Sequence, residues 1–188
     1  MYNYFMKKLL YTDIGPNGTQ YKKGEWEQFA IHNDKEVKGF FGSYRFLSNF
    51  WPAKVFLDNV EYSSVELAYQ AAKWKPEHRE YFQTCSELEA IKYNEENKPH
   101  DACTKEEWAK KKLGIMTDLV TQKFDSKLNP ENYQKLLDTD EKLLEEMNWW
   151  NDLYWDTNNK GEGENHLGKL LMEVRKNLKY PTRGYKKI

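Results

Sequence analysis

The sequence predicts an α+β fold, a mainly helical single domain with a small antiparallel sheet. Three observations carry that prediction. Helix starts of the form Ser/Thr-x-x-Glu recur at Ser63–Glu66, Ser86–Glu89 and Thr104–Glu107. Apolar residues at helical spacing form inward stripes: Trp108, Ile115, Met116, Leu119, Val120 and Phe124 in one segment, and Leu167, Leu170, Leu171, Val174 and Leu178 in another. Strand-favouring segments, in contrast, gather in the N-terminal half and are separated by turn-forming residues.

Taken in order, residues 6–12 and 26–32 read as an antiparallel pair around the turn Gly15-Pro16-Asn17-Gly18, and a reversal at Asn33-Asp34 adds Glu36–Phe41 as a third strand. Lys54–Leu57 and Val60–Tyr62 flank the turn Asp58-Asn59. A helix follows through Lys73, then helical pieces at roughly 77–84, from Ser86 and from Thr104. Asn129-Pro130 reads as a helix start with asparagine as cap and proline in the first turn, the helix running to about Leu137. Lys142–Met147 fits a strand or a short helix equally. Asn165 caps a final helix after the loop Asp156–Glu164, which is not a calcium loop because Lys160 and Leu167 stand where oxygen ligands belong.

At 188 residues the chain holds one sizeable core and is short for two. Residues 1–38 are read as an N-terminal β extension packed on the domain, 39–178 as the domain and 179–188 as a basic tail. A formal charge of −1 lacks the basic footprint of a dedicated nucleic-acid binder and suits a small nucleotide better. The two cysteines, Cys85 and Cys103, form neither a zinc motif nor a disulfide framework, so no metal or other cofactor is expected. Met1–Leu10 is too weakly apolar for a signal peptide and no segment suits a membrane span, which makes a cytoplasmic location the expectation.

The segment Phe46–Trp74 concentrates candidate chemistry. Val65, Ala68, Tyr69 and Ala72 give its helix a buried face, and Glu66, Gln70 and Lys73 recur at i, i+4 and i+7 beside it. A carboxylate, an amide and an amine on one line make a candidate reaction centre; the same residues equally fit the spacing of a solvated stripe, with Glu66 closing a capping box onto Ser63. Arg45 is suited to a phosphate or to a surface ion pair, and Asn49 to bracing a turn or binding a ribose hydroxyl. The aromatic run Asn148–Trp155 either packs beneath a site or stacks on a planar ligand, with Trp155 as the ligand contact and Asp152 as the accompanying polar one.

Leu47-Ser48-Asn49-Phe50, Ser64-x-Glu66 and Gln70-Ala71-Ala72-Lys73 form one block. Asn148-x-Trp150-x-Asp152-x-x-Trp155 and Gly161-x-Gly163-x-Asn165-x-Leu167-Gly168-x-Leu170-Leu171-Met172-x-Val174-Arg175 form a second. Together, over about Gly39 to Leu178, they resemble the YbiA-like, or NADAR, family. The resemblance implies a YbiA-like fold and N-glycosidase activity on a ribose C1′–N bond, the substrate being ADP-ribose on guanine, free or in DNA or RNA, or a ribosylamino pyrimidine intermediate of riboflavin synthesis. It implies Glu66 and Lys73 as catalytic residues. Arg45, Ser48, Asn49, Phe50, Gln70, Asp152, Trp155, Gly163, Asn165 and Gly168 are then substrate contacts, the last three around a loop and helix start suited to a phosphate. Asp156 departs from the family's glycine after the tryptophan, Leu67 from the histidine that commonly follows the glutamate, and Lys92–His100 from a shorter turn. A nucleotide-binding sensor without turnover is the alternative, and an interaction protein using the aromatic cluster a third. Oligomeric state is left open.

Overall fold

A computed structural model describes residues 13–14, 20–21, 30–97, 104–148, 152–158 and 160–181. The expected strand at 6–12, the turn at 15–18 and most of the partner strand at 26–32 lie outside the described residues, as does the tail from 182. What is described there is a short antiparallel pair, β1 (Asp13–Ile14) with β2 (Gln20–Tyr21).

β3 (Ile31–His32) turns antiparallel into β4 (Glu36–Lys38). Asn33 makes the reversal, its Oδ1 accepting from the backbone N–H groups of Lys35 and Glu36 at 2.8 and 2.9 Å. On its other side β4 pairs in parallel with β7 (Leu143–Glu145). Lys142–Met147 thus contains a strand, and this sheet is mixed rather than antiparallel. A parallel partner requires a crossover, and the helices between β4 and β7 supply it.

β5 (Pro52–Leu57) and β6 (Val60–Ser64) form the expected hairpin, with Asp58 and Asn59 both at positive φ, 49° and 64°. That conformation matches the twist of paired strands and is tolerated by asparagine and aspartate. β6 runs straight into α1 (Val65–Ala71), whose seven residues are all buried. The cap is Ser64, not Ser63: Ser64 Oγ accepts from Leu67 N at 3.2 Å. The shift by one residue frees the Glu66 carboxylate from helix capping.

Beyond α1 the expected helix at 77–84 is two 3-10 turns, Pro76–His78 and Glu80–Gln83. Arg79 sits between them, donating through Nε to Trp74 O at 2.8 Å and through its guanidinium to Asp58, which ties this segment to the hairpin tip. α2 (Glu87–Asn97) starts at the Ser86–Glu89 box and α3 (Lys105–Lys123) at the Thr104–Glu107 box, both formed as expected. α3 buries Met116, Leu119, Val120 and also Lys123, and Gln122 clasps the Phe56 backbone from both sides. In α4 (Pro130–Leu137), Pro130 opens the helix but Asn129 makes no side-chain cap; its amide instead clasps the Lys54 backbone of β5.

α5 (His166–Lys179) packs its Leu167, Leu170, Leu171 and Val174 inward against β7 and α3. The result is one core centred on α1, in an α+β arrangement. No helix among the described residues is long and apolar enough to cross a membrane.

Gly168 shows how tightly α5 meets β7. A Cβ there would collide with the Leu144 carbonyl oxygen and the Asn165 side chain. Gly168→Ala is expected to cost about 2 kcal/mol or more, as overpacking against backbone does. Urea denaturation of the variant reads that loss directly; unchanged stability would mean that α5 slides freely on the strand.

Candidate active site

α1 carries the Glu66–Gln70–Lys73 line along a face that closes into the protein. Glu66 and Gln70 are 9 % and 7 % exposed and Lys73 is partly buried, so the solvated-stripe alternative does not describe them. The three form a chain of short contacts: Gln70 Nε2 donates to Glu66 Oε1 at 2.6 Å, and Lys73 Nζ donates to Gln70 Oε1 at 2.6 Å. Asn94 of α2 donates to the same Gln70 oxygen at 2.5 Å and to the Gln70 carbonyl at 3.2 Å, and is itself held by the Trp74 indole N–H. Because Lys73 can only donate, the amide oxygen must face it and the amide nitrogen must face Glu66. Gln70 thereby links the acid to the amine in one orientation.

Burial raises the Glu66 pKa above the ordinary carboxyl range, opposed by the Gln70 hydrogen bond and the Lys73 charge. Burial likewise lowers Lys73, opposed by Glu66, Asp152 and Glu95. The acid is made less acidic and the amine less basic, so each moves toward the range in which it exchanges a proton readily. Lys73 Nζ also lies 5.3 Å from the Tyr69 ring centroid and 5.9 Å from that of Trp108.

The turn before β5 brings Asn49 to the start of this helix. Asn49 O accepts from Glu66 N at 3.1 Å, while Asn49 Nδ2 reaches only the weak acceptor Met116 Sδ at 3.5 Å. Its Oδ1 is buried without a hydrogen-bond partner among the described residues. A buried acceptor left open at this point is suited to a ligand donor. Ser48 turns inward, its Oγ accepting from Phe50 N, and its carbonyl accepts from Lys123 Nζ at 2.6 Å. Arg45 is exposed, 6.0 Å from the ring of the partly buried Phe50, with no salt bridge among the described residues.

The later block meets α1 through aromatic rings. Trp155 stands edge-on to Tyr69 at 5.8 Å, and Tyr69 contacts Trp108 at 5.2 Å. Asp152 Oδ1 accepts from the backbone N–H groups of Tyr154 and Trp155, bracing their turn, and its charge reaches both Glu66 and Lys73. Asn165, Gly163 and Gly168 take scaffold positions instead of presenting open groups to a phosphate. The Asn165 amide accepts from Gly168 N and Glu146 N and donates to Leu144 O, so it is committed to joining α5 with β7. Gly163 is at φ +135° against the Asp156 carbonyl, and Gly168 lies under that of Leu144.

Several neighbours of the site are not apparent from the sequence. Lys123 is fully buried, donating to the carbonyls of Leu47 and Ser48, and burial pushes its pKa down to about 7. Its place seven residues after Met116, within the apolar stripe of α3, is the one available signal. Asn94 carries none, because its role depends on α2 packing against α1. Lys112 Nζ lies 3.0 Å from the Tyr154 ring centroid, next to Trp155.

Residues 31–179 match the NADAR domain family. The chain belongs to the NADAR family. It is 33% identical over 141 residues to N-glycosidase YbiA of Escherichia coli, covering 72% of this chain and 82% of that one. A riboflavin biosynthesis protein of Vibrio vulnificus is 26% identical over 136 residues, and riboflavin biosynthesis protein PYRR of Zea mays 29% over 155. The match spans 72% and 73% of this chain but only 36% and 23% of those longer proteins. The NMR structure of E. coli YbiA superposes with a TM-score of 0.65 at 25% identity, covering 84% of this chain and 92% of that one. The YbiA-like fold is thus shared.

The raised Glu66 pKa has a consequence for stability. The folded state favours the protonated carboxyl, so the stabilisation is full below the unfolded pKa and is lost as pH rises through the folded one. Glu66→Gln is therefore expected to unfold at nearly the wild-type temperature near about pH 4 and at a higher temperature near about pH 8. Calorimetric scans across that range check it; a variant less stable at the upper end would mean that ionised Glu66 supports the fold.

Proposed function

We propose that this NADAR-family chain is an N-glycosidase that hydrolyses the bond between ribose C1′ and an amine nitrogen. The observation that carries the reading is the buried Glu66–Gln70–Lys73 chain, an acid and an amine with opposing pKa shifts joined through one amide. The names of its relatives, an N-glycosidase and two riboflavin biosynthesis proteins, agree with it. The substrate classes are ADP-ribosylated guanine, as nucleotide or within DNA or RNA, and a ribosylamino pyrimidine phosphate.

Breaking a C1′–N bond builds positive charge on C1′ and the ring oxygen while the departing nitrogen needs a proton. Ionised Glu66 stabilises that charge and takes the proton of the incoming water; protonated, it supplies a proton to the leaving group. Gln70 keeps the carboxyl from rotating. Lys73 acts as electrostatic partner, or its free amine adds to C1′ of the ring-opened sugar, the base nitrogen leaves with the proton from the amine, and water hydrolyses the resulting Schiff base, a route that the lowered Lys73 pKa assists. The open Asn49 Oδ1 accepts from a ribose hydroxyl, and Trp155 offers a face to the base. The same acid and amine, lodged away from C1′, would leave a sensor that binds without turnover.

Incubation with ADP-ribosylated guanine nucleotide and, separately, with a ribosylamino pyrimidine phosphate is expected to release ADP-ribose from the first or the free aminopyrimidine from the second. Glu66→Gln is expected to keep binding and lose about 100-fold or more in turnover. Binding with no release from either substrate would instead make the chain a sensor. Borohydride added during turnover distinguishes the two roles of Lys73: a trapped adduct that disappears in Lys73→Arg identifies a Schiff base, and its absence leaves the charge alone.

A further inference from the structure

Trp74 stands next to Lys73 in sequence and reaches the same Gln70 amide from the other side. Its indole is buried beside Tyr93 and Phe82, with ring centroids at 5.3 and 6.3 Å, and its N–H donates to Asn94 Oδ1. An indole only donates, so the Asn94 oxygen faces Trp74 and the Asn94 nitrogen faces α1. There Asn94 Nδ2 donates to the Gln70 backbone carbonyl at 3.2 Å, which only accepts and demands the same orientation, and to Gln70 Oε1 at 2.5 Å. Gln70 is left with its nitrogen toward Glu66 Oε1, at 2.6 Å. The polarity of the line is therefore set from Trp74 without any contribution from Lys73.

The Lys73 amine, in contrast, is lightly held. It lies just past the end of α1, and among the described residues its one hydrogen bond goes to Gln70 Oε1 at 2.6 Å, with the Tyr69 and Trp108 ring centroids at 5.3 and 5.9 Å. That oxygen has two lone pairs, one taken by Asn94 and the other by Lys73. When the amine swings away, the oxygen keeps a donor. Rotation of the amide would set its nitrogen against the Asn94 nitrogen and its oxygen against the Glu66 carboxylate, donor to donor and acceptor to acceptor.

We propose that Trp74 and Asn94 are positioning residues that hold the Gln70 amide, and through it Glu66, while Lys73 leaves the line to meet the substrate. The release of Lys73 toward substrate rests on the N-glycosidase reading; the hold on Gln70 does not. Lys73 is the one member of the line free to move, because Glu66 keeps its donor and its orientation whether the amine lies on Gln70 or on the sugar. The amine changes partner without uncoupling the acid.

The test is a mutant cycle read by solvent exchange of the Gln70 side-chain amide protons in the ligand-free protein, followed by NMR and assigned with Gln70→Leu. Lys73→Met removes the amine. Trp74→Phe and Asn94→Leu made together remove the indole arm without leaving an orphaned donor, and a further variant carries all of these changes. Exchange is expected to stay within about twofold of wild type in Lys73→Met. It is expected to rise about tenfold beyond the product of the separate effects when amine and arm are both gone, while the backbone amides of α1 keep their protection. A rise of about tenfold in Lys73→Met alone, or effects that simply multiply, overturns the hold. Should the combined variant not fold, Lys73→Met alone decides by the same criterion. With the arm removed and Lys73 kept, kcat is expected to fall about tenfold at unchanged KM, since the amine must then stay to hold Gln70; an unchanged kcat overturns the release of Lys73. If neither ADP-ribosylated guanine nucleotide nor a ribosylamino pyrimidine phosphate is cleaved while exchange behaves as expected, the hold on Gln70 is supported and the N-glycosidase reading fails.

Discussion

A carboxyl group and an amine drawn out of water on the same short helix lose hydration that their mutual attraction across two turns replaces only in part. Gln70 makes the arrangement tenable, since its amide donates to one and accepts from the other, each at 2.6 Å. Asn94 fixes the amide from the neighbouring helix, and Trp74 fixes Asn94. Every other feature of the site depends on that hydrogen-bonded line, because it sets where an acid and an amine point and keeps both close to a change of protonation.

The fold delivers the line through a rigid sequence of local decisions. Positive φ at Asp58 and Asn59 closes the β5–β6 hairpin, the end of β6 places Ser64 as the cap, and α1 begins immediately inside the core. Across from it, buried Lys123 draws in the carbonyls of Leu47 and Ser48, and Asn49 O receives Glu66 N. An ammonium used to shape backbone in this way is costly to bury, which argues that the geometry of the 46–51 turn is worth that cost. The aromatic contact between Trp155 and Tyr69 then brings the C-terminal half against the same helix.

Features set by neighbours along the chain are legible in the residues themselves. The hairpin, the boxes at Ser86 and Thr104 and the inward stripe of α5 all form as their residues indicate. The Ser63 box fails by one residue, because Ser63 and Ser64 offer the same local signal and only the β6 register chooses between them. Asn129 and Asn165 look alike as caps, yet only Asn165 caps its helix, joining it to β7 as well, whereas Asn129 clasps a strand, a difference that arises from packing. The parallel pairing of β7 and the bridge between Met147 and Thr157 join segments distant in sequence or fixed by register, so periodicity could not show them. Gly163 and Gly168 carry the signature of close backbone approach, which a phosphate or the protein's own carbonyl satisfies equally; here it is the carbonyls of Asp156 and Leu144.

The most direct measurement is a structure of the Glu66→Gln protein with ADP-ribose bound. The anomeric carbon is expected beside residue 66, within hydrogen-bonding reach of about 3 Å for a water or leaving nitrogen placed between them, with a ribose hydroxyl on Asn49 Oδ1. A ribose lodged elsewhere, with no contact to residues 66, 70 and 73, would contradict it.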